Sequence, residues 1–96
     1  MKIYNVVYDY RGHIEVYPCA NEKVALKKVR EFSLQVLTYE GIEDGDELLD
    51  DSYYSTVYNN DDMEFTLQFA QWSFILDTDF TNIAHIYVNE GEVIEW

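Results

Sequence analysis

Residues able to act as nucleophiles or proton shuttles are scarce in this chain: there is one cysteine, Cys19, and there are two histidines, His13 and His85. A thiol or hydroxyl nucleophile needs a base within hydrogen-bond reach. His13 and Cys19 lie six residues apart in a stretch that reads as one strand, which separates them by about 20 Å. Cys19 and His85 could meet only across the fold, and no local pattern points to that. The cysteine reads as a small buried thiol and the histidines as sheet residues. A lone cysteine also excludes an internal disulfide and gives no support to an oxidising compartment.

Carboxylates are the opposite case, with 19 in 96 residues. Acid–base catalysis by a pair requires one member to be pushed up in pKa by apolar surroundings, whereas these acids sit in polar runs where both stay ionised. Calcium is the more serious chemistry, because the segment from Glu43 to Asp51 supplies many hard oxygen ligands. With Asp44 at the first position of an EF-hand loop, Asp46 fits the third. Leu48 then takes the fifth, Leu49 the glycine position and Ser55 the place of the bidentate glutamate, so the pattern fails. A frame starting at Asn59 puts Met63 at the fifth place and fails as well. The sequence reads as a non-enzymatic chain with no cofactor and no metal site.

What remains is where the charge lies. All six lysines and arginines (Lys2, Arg11, Lys23, Lys27, Lys28, Arg30) fall in the first 30 residues, and 16 of the 19 acids lie after Arg30, where no lysine or arginine occurs. The formal net charge is −13. Such a surface repels nucleic acid and anionic membranes and attracts a protein with a basic groove; proteins that bind nucleic acid own such grooves. Even scattering for solubility does not account for this segregation.

The size sets one domain over residues 1–96, and 48% apolar with 17% aromatic residues takes the chain out of the disordered class. No stretch approaches the roughly 18 apolar residues of a membrane span, and the amino terminus lacks the apolar run of a secretory signal. The expectation is a soluble, cytoplasmic protein.

Period-two alternation over residues 2–10 and again over 13–17, with a turn at Arg11-Gly12, predicts a first hairpin that Pro18 ends. Asn21 caps a helix whose Val24, Ala25, Val29, Phe32, Val36 and Tyr39 recur at threes and fours, with Gly41 as its stop. A short helix is expected from about Asp46 to Ser55, capped by Asp44 or Asp46. Asp61 and Glu64 have the spacing of a capping box for another reaching about Gln71, although Phe65, Leu67 and Phe69 also alternate as in a strand. Strands are expected over 72–77 and 83–88. Asn89-Glu90-Gly91 is read as a hairpin loop leading to a closing strand that ends in Trp96, an edge able to pair with a second copy in a homodimer. The predicted fold is α+β: an antiparallel sheet of about five strands with one long and one or two short helices packed on one face.

On a helix, Glu43, Glu47 and Asp51 form one row and Asp46 and Asp50 a parallel one, with carboxylates about 6 Å apart. Tyr39, Tyr53, Tyr54 and Tyr58 are interleaved with the acids, and tyrosine is enriched where proteins bind proteins. The candidate partner-binding residues are Glu40, Glu43, Asp44, Asp46, Glu47, Asp50, Asp51, Tyr53, Tyr54, Tyr58, Asp61, Asp62 and Glu64. In size and in its acidic stretches from Glu43 to Asp51 and from Asp61 to Glu64, the chain resembles the small acidic inhibitors of phages and mobile elements. These include anti-CRISPR and anti-restriction proteins that imitate nucleic acid. That resemblance implies an inhibitor that sits on the basic nucleic-acid-binding surface of a CRISPR or restriction nuclease in a host cytoplasm. It would not itself bind nucleic acid or membrane. The alternatives are an adaptor or inhibitor that binds through an aromatic surface or a sheet edge, its acids serving solubility, and a cation-binding domain.

Overall fold

The computed structural model describes residues 2–51, 53–79 and 81–92, with the side chain of Asp51 outside that set. Strand β1 (Lys2–Tyr10) and β2 (His13–Cys19) are followed by helix α1 (Glu22–Tyr39), helix α2 (Gly45–Asp51) and strands β3 (Tyr54–Tyr58), β4 (Glu64–Ala70), β5 (Ser73–Asp77) and β6 (Asn82–Glu92). The strands form one sheet in the order β2-β1-β6-β5-β4-β3, with every neighbouring pair antiparallel. The class is α+β as the pattern predicts, with six strands where about five are expected. Among the described residues, no helix is long and apolar enough to cross a membrane.

Local chemistry explains the first half. Arg11 (φ 50) and Gly12 (φ 84) are both left-handed, the conformation a two-residue turn needs to match the twist of its strands. Pro18 does not end β2 but pairs opposite Asn5, which an edge strand tolerates because a proline nitrogen turned to solvent breaks no ladder bond. Asn21 caps α1 by accepting from the Val24 amide at 2.9 Å. At the other end Gly41 (φ 77) donates to the Thr38 carbonyl and Ile42 to the Leu37 carbonyl. That is a Schellman closure, with the buried Ile42 beside the buried Leu37.

The helix phase differs from the expected one. Ala25, Val29, Ser33, Val36 and Leu37 are buried, whereas Val24 and Tyr39 are 42% and 66% exposed. Small residues at 25 and 33 let α1 settle close to a sheet face crowded by Tyr4, Tyr8 and Tyr10. The Ser33 hydroxyl meets its own need by donating to the Val29 carbonyl at 2.6 Å.

Three expectations beyond Gly41 are overturned. The short helix stops at Asp51, and Tyr54–Tyr58 is a strand, as β-branched and aromatic residues with Val57 turned to the core allow. Asp61 and Glu64 do not start a helix: Asn59 Oδ1 accepts from the amides of Asp61 and Met63, which folds 59–63 into a hairpin loop. The alternation of Phe65, Leu67 and Phe69 builds β4 instead. Asn89–Gly91 is likewise no turn, because it continues β6 opposite Ile3, Tyr4 and Asn5. A nine-residue β1 offers ladder bonds along that whole length, and they outweigh local turn preference. The expected closing strand to Trp96 lies outside the described residues, and β6, into which it would run, is an interior strand.

The core lies between the helices and one face of the sheet. Val6, Phe65, Leu67, Phe74, Leu76, Ala84 and Ile86 face α1, Leu49 of α2 and Ile42. The other face carries Ile14, Val16, Ile75, Tyr87, Tyr54 and Tyr58, and nothing among the described residues covers it.

Candidate functional site

The topology gathers the loops that carry the acids. Arg11 donates its amide to the Ile83 carbonyl at 2.8 Å, its guanidinium binds Glu40, and the Asn60 amide donates to the Gly41 carbonyl at 2.9 Å. The β1–β2 turn, the α1–α2 connection, the β3–β4 loop and the β5–β6 connection therefore share one end of the sheet. Glu43 and Asp44 arrive there on the α1–α2 connection, Asp61 and Asp62 on the β3–β4 loop, and Asp77 and Asp79 on the β5–β6 side. An open depression lined by Gly41, Glu43, Asp44, Tyr58, Asn59 and Asn60 runs between the first two. Asp44 (φ 61) and Asp62 (φ 58) are left-handed, a conformation that Asp adopts more readily than most residues.

Each candidate side chain but that of Asp51 has a definite place. Glu40 is not part of an open surface. Its side chain is 6% exposed and holds Arg11 through two contacts, Nη2 to Oε1 at 2.5 Å and Nε to Oε2 at 3.0 Å, while the Tyr10 hydroxyl donates to it. Burial pushes the Glu40 carboxyl up, but the hydrogen bonds from Arg11 and Tyr10 more than reverse this and leave it below the usual glutamate range. The Tyr10 hydroxyl is raised, by burial first and then by its bond to Glu40. Asp46 and Asp50 face Arg30, at 3.7 and 2.9 Å. One of the two rows expected on α2 is thus paired, although both carboxylates remain well exposed. Glu43, Asp44, Glu47, Asp61, Asp62 and Glu64 are exposed and have no cationic partner among the described residues. The side chain of Asp51 lies outside the described part of the structure. Tyr53, Tyr54 and Tyr58 are 77%, 60% and 58% exposed.

The cations lie elsewhere. Arg11 is the only lysine or arginine at the acidic end among the described residues. Lys23 and Lys27 sit on the first turns of α1, an 18-residue helix about 27 Å long that runs towards that end. Lys2 pairs with Glu90 at the opposite end of β1 and β6. Four of the six cations contact acids, Lys2 with Glu90, Arg11 with Glu40, Lys28 with Glu31 and Arg30 with Asp46 and Asp50, so the segregation along the sequence is kept in space only in part.

The nucleophilic reading finds no geometry. Cys19 is buried on the helix-facing side, opposite Tyr4, and His85 is paired with Asp9 on the other side of the sheet. His13 Nε2 contacts Glu15 at 3.1 Å. No three His, Cys, Asp or Glu side chains converge as metal ligands among the described residues. Ile14 (63%) and Val16 (54%) on β2 are exposed as well, and neither was legible in the sequence as a surface residue. Their alternation was visible, but which side of the strand is covered depends on where the helices pack.

No protein-family model, curated protein or solved structure matches this chain.

Proposed function

We propose that this protein is a non-enzymatic inhibitor. Its acidic end occupies the lysine- and arginine-rich nucleic-acid-binding surface of another protein and keeps nucleic acid out. The observation that carries this reading is the meeting of Glu43 and Asp44 with Asp61 and Asp62 at the one end of the sheet whose single arginine is already engaged by Glu40. Carboxylates left without cations project a field that speeds encounter with a basic groove. Tyr58, half exposed beside them, supplies apolar area with a polar tip. The partner class that fits is a nuclease of a CRISPR or restriction system, which places the protein in the cytoplasm of a host cell. Affinity should fall steeply from about 50 to 500 mM salt as the Debye length contracts.

The test is capture from a bacterial lysate at low salt, elution at high salt, and a displacement assay in which the eluted protein is loaded with labelled nucleic acid. Release of the nucleic acid by the wild-type chain, and not by a variant with Glu43, Glu47, Asp61 and Asp62 changed to alanine, supports the reading. Release that is indifferent to salt and to those four changes would sink it.

A second reading has its own observation: the uncovered sheet face with Ile14 and Val16. In that reading the protein is an adaptor or inhibitor held by apolar contact, and Ile14→Asn with Val16→Asn removes binding where the alanine variant does not.

A further inference from the structure

The two edges of the sheet differ in a way that points to self-association. Natural edge strands are blunted by proline, charge or bulges, because their unpaired amides and carbonyls template a further strand. Edge strand β2 carries Pro18 and Glu15. Edge strand β3 carries neither: residues 53 to 60 read Tyr-Tyr-Ser-Thr-Val-Tyr-Asn-Asn, with no charge and no proline in a chain that is 26% charged.

The hydrogen bonds say which groups of β3 are open. Tyr53 accepts from the Phe69 amide at 3.0 Å and Asn59 donates to the Met63 carbonyl at 3.1 Å, so the odd-numbered peptide groups point into the sheet. Those of Tyr54, Thr56 and Tyr58 alternate with them and point out. The same three residues turn their side chains to the uncovered face, and all three are exposed.

We infer that β3 pairs antiparallel with β3 of a second copy, on a two-fold axis through Thr56. The strand is its own complement. Tyr54-Ser55-Thr56-Val57-Tyr58 places tyrosine opposite tyrosine at both ends and threonine opposite threonine at the centre, pairs that favour cross-strand contact. About six hydrogen bonds form between the outward groups, and two six-stranded sheets become one continuous sheet with both helical layers on the same side. The exposed parts of Tyr53, Tyr54, Thr56 and Tyr58 with the edge backbone bury on the order of 1,000 Å² in total, the lower bound for a specific interface. The dimer is therefore weak. The axis also brings the Asp61-Asp62 loop of each copy towards the end of α2 of the other, where Asp50 lies. That repulsion is screened by salt, so dimerisation strengthens as salt rises. The sign is opposite to that expected for a basic partner, which keeps failure of this inference distinguishable from failure of the functional proposal.

Sedimentation of the full chain from about 10 µM to 1 mM, at low and high salt, tests it. The expected result is a concentration-dependent dimer, tighter at high salt. Thr56→Pro removes an outward amide without touching the β4 ladder, and should weaken the dimer more than about tenfold with an unchanged far-UV circular dichroism spectrum. Independently, Thr56→Cys in a Cys19→Ser background places two thiols at a Cα separation of about 5.5 Å and should crosslink on mild oxidation. Gln35→Cys, an exposed position on α1, should remain monomeric in the same background. A chain that stays monomeric throughout, a dimer that survives Thr56→Pro, or crosslinking at 56 no greater than at 35 overturns the inference. Should Thr56→Pro fail to fold, the crosslinking comparison decides alone.

Discussion

Arg11 and Glu40, 29 positions apart in the chain, clamp the first hairpin to the end of the long helix through a two-point contact of guanidinium and carboxylate. Arg11 holds a left-handed backbone (φ 50) in the turn, and Glu40 is the carboxyl-terminal cap residue of α1. The clamp takes one carboxylate off the surface and neutralises one cation that stays half exposed, and it orients the loops where the remaining acids collect.

Replacing Glu40 by glutamine should lower the unfolding free energy by about 1–2 kcal/mol near neutral pH, allowing for the half-exposed Arg11. The fold holds the Glu40 carboxyl below its ordinary range, so its stabilisation is complete above the unfolded value of about 4.3 and is lost as pH falls through the folded value. Denaturant titrations at several pH values check this: the gap between wild type and Glu40→Gln should be constant above about pH 5 and narrow progressively as pH falls below the unfolded value of about 4.3. A gap that does not narrow on acidification contradicts it.

Arg11→Ala and Arg11→Gly separate the clamp from the turn. Both lose the ion pair, but glycine accepts positive φ without strain, so Arg11→Gly should be more stable than Arg11→Ala by about 1 kcal/mol. Thermal unfolding of the two variants reads the difference directly, and equal stability would mean that the turn stores no strain.

Gly41→Ala meets two obstacles. The position is left-handed (φ 77), and an added Cβ would come within 2.6 Å of Asn60 Oδ1. A loss of about 1–3 kcal/mol is expected. Amide exchange in 59–63 should accelerate with it, because Asn60 donates to the Gly41 carbonyl.

The phase of α1 is testable with two truncations. Leu37 is 1% exposed and Tyr39 66% exposed, so Leu37→Ala should cost about 2–5 kcal/mol. Tyr39→Ala, which loses only a stacking contact with Tyr10, should cost less than about 1 kcal/mol.

Changing Glu43, Glu47, Asp61 and Asp62 together to alanine should not lower stability, and should raise it slightly at low salt, since none has a cationic partner among the described residues and like charges repel. A marked loss of thermal stability would show that these side chains serve the fold, which is not the role proposed for them.

Much of this architecture was legible in the residues. Alternation along 2–10 and 13–17, the Asn21 cap and the Gly41 stop are signals carried within a few positions of one another, because turns, caps and left-handed stops are local events. The region from 46 to 71 was ambiguous for an equally physical reason. Asp and Ser favour helix starts and turns alike, so only the ladders with β4 and β5 made Tyr54–Tyr58 and Glu64–Ala70 strands. Asn89–Gly91 reads locally as a turn and becomes strand because β1 lies alongside to pair with it.

For the candidate site, composition and order along the chain determined that the protein is acidic and that its cations are confined to the first 30 residues. Tertiary structure alone decided which acids remain available. Glu40 was drawn inward by Arg11 and Tyr10, Asp46 and Asp50 were placed against Arg30, and Glu43, Asp44, Asp61 and Asp62 were left together without partners among the described residues. Ion pairing depends on distances of a few ångströms between residues far apart in the chain. A linear pattern fixes the number of charges, but not which of them meet.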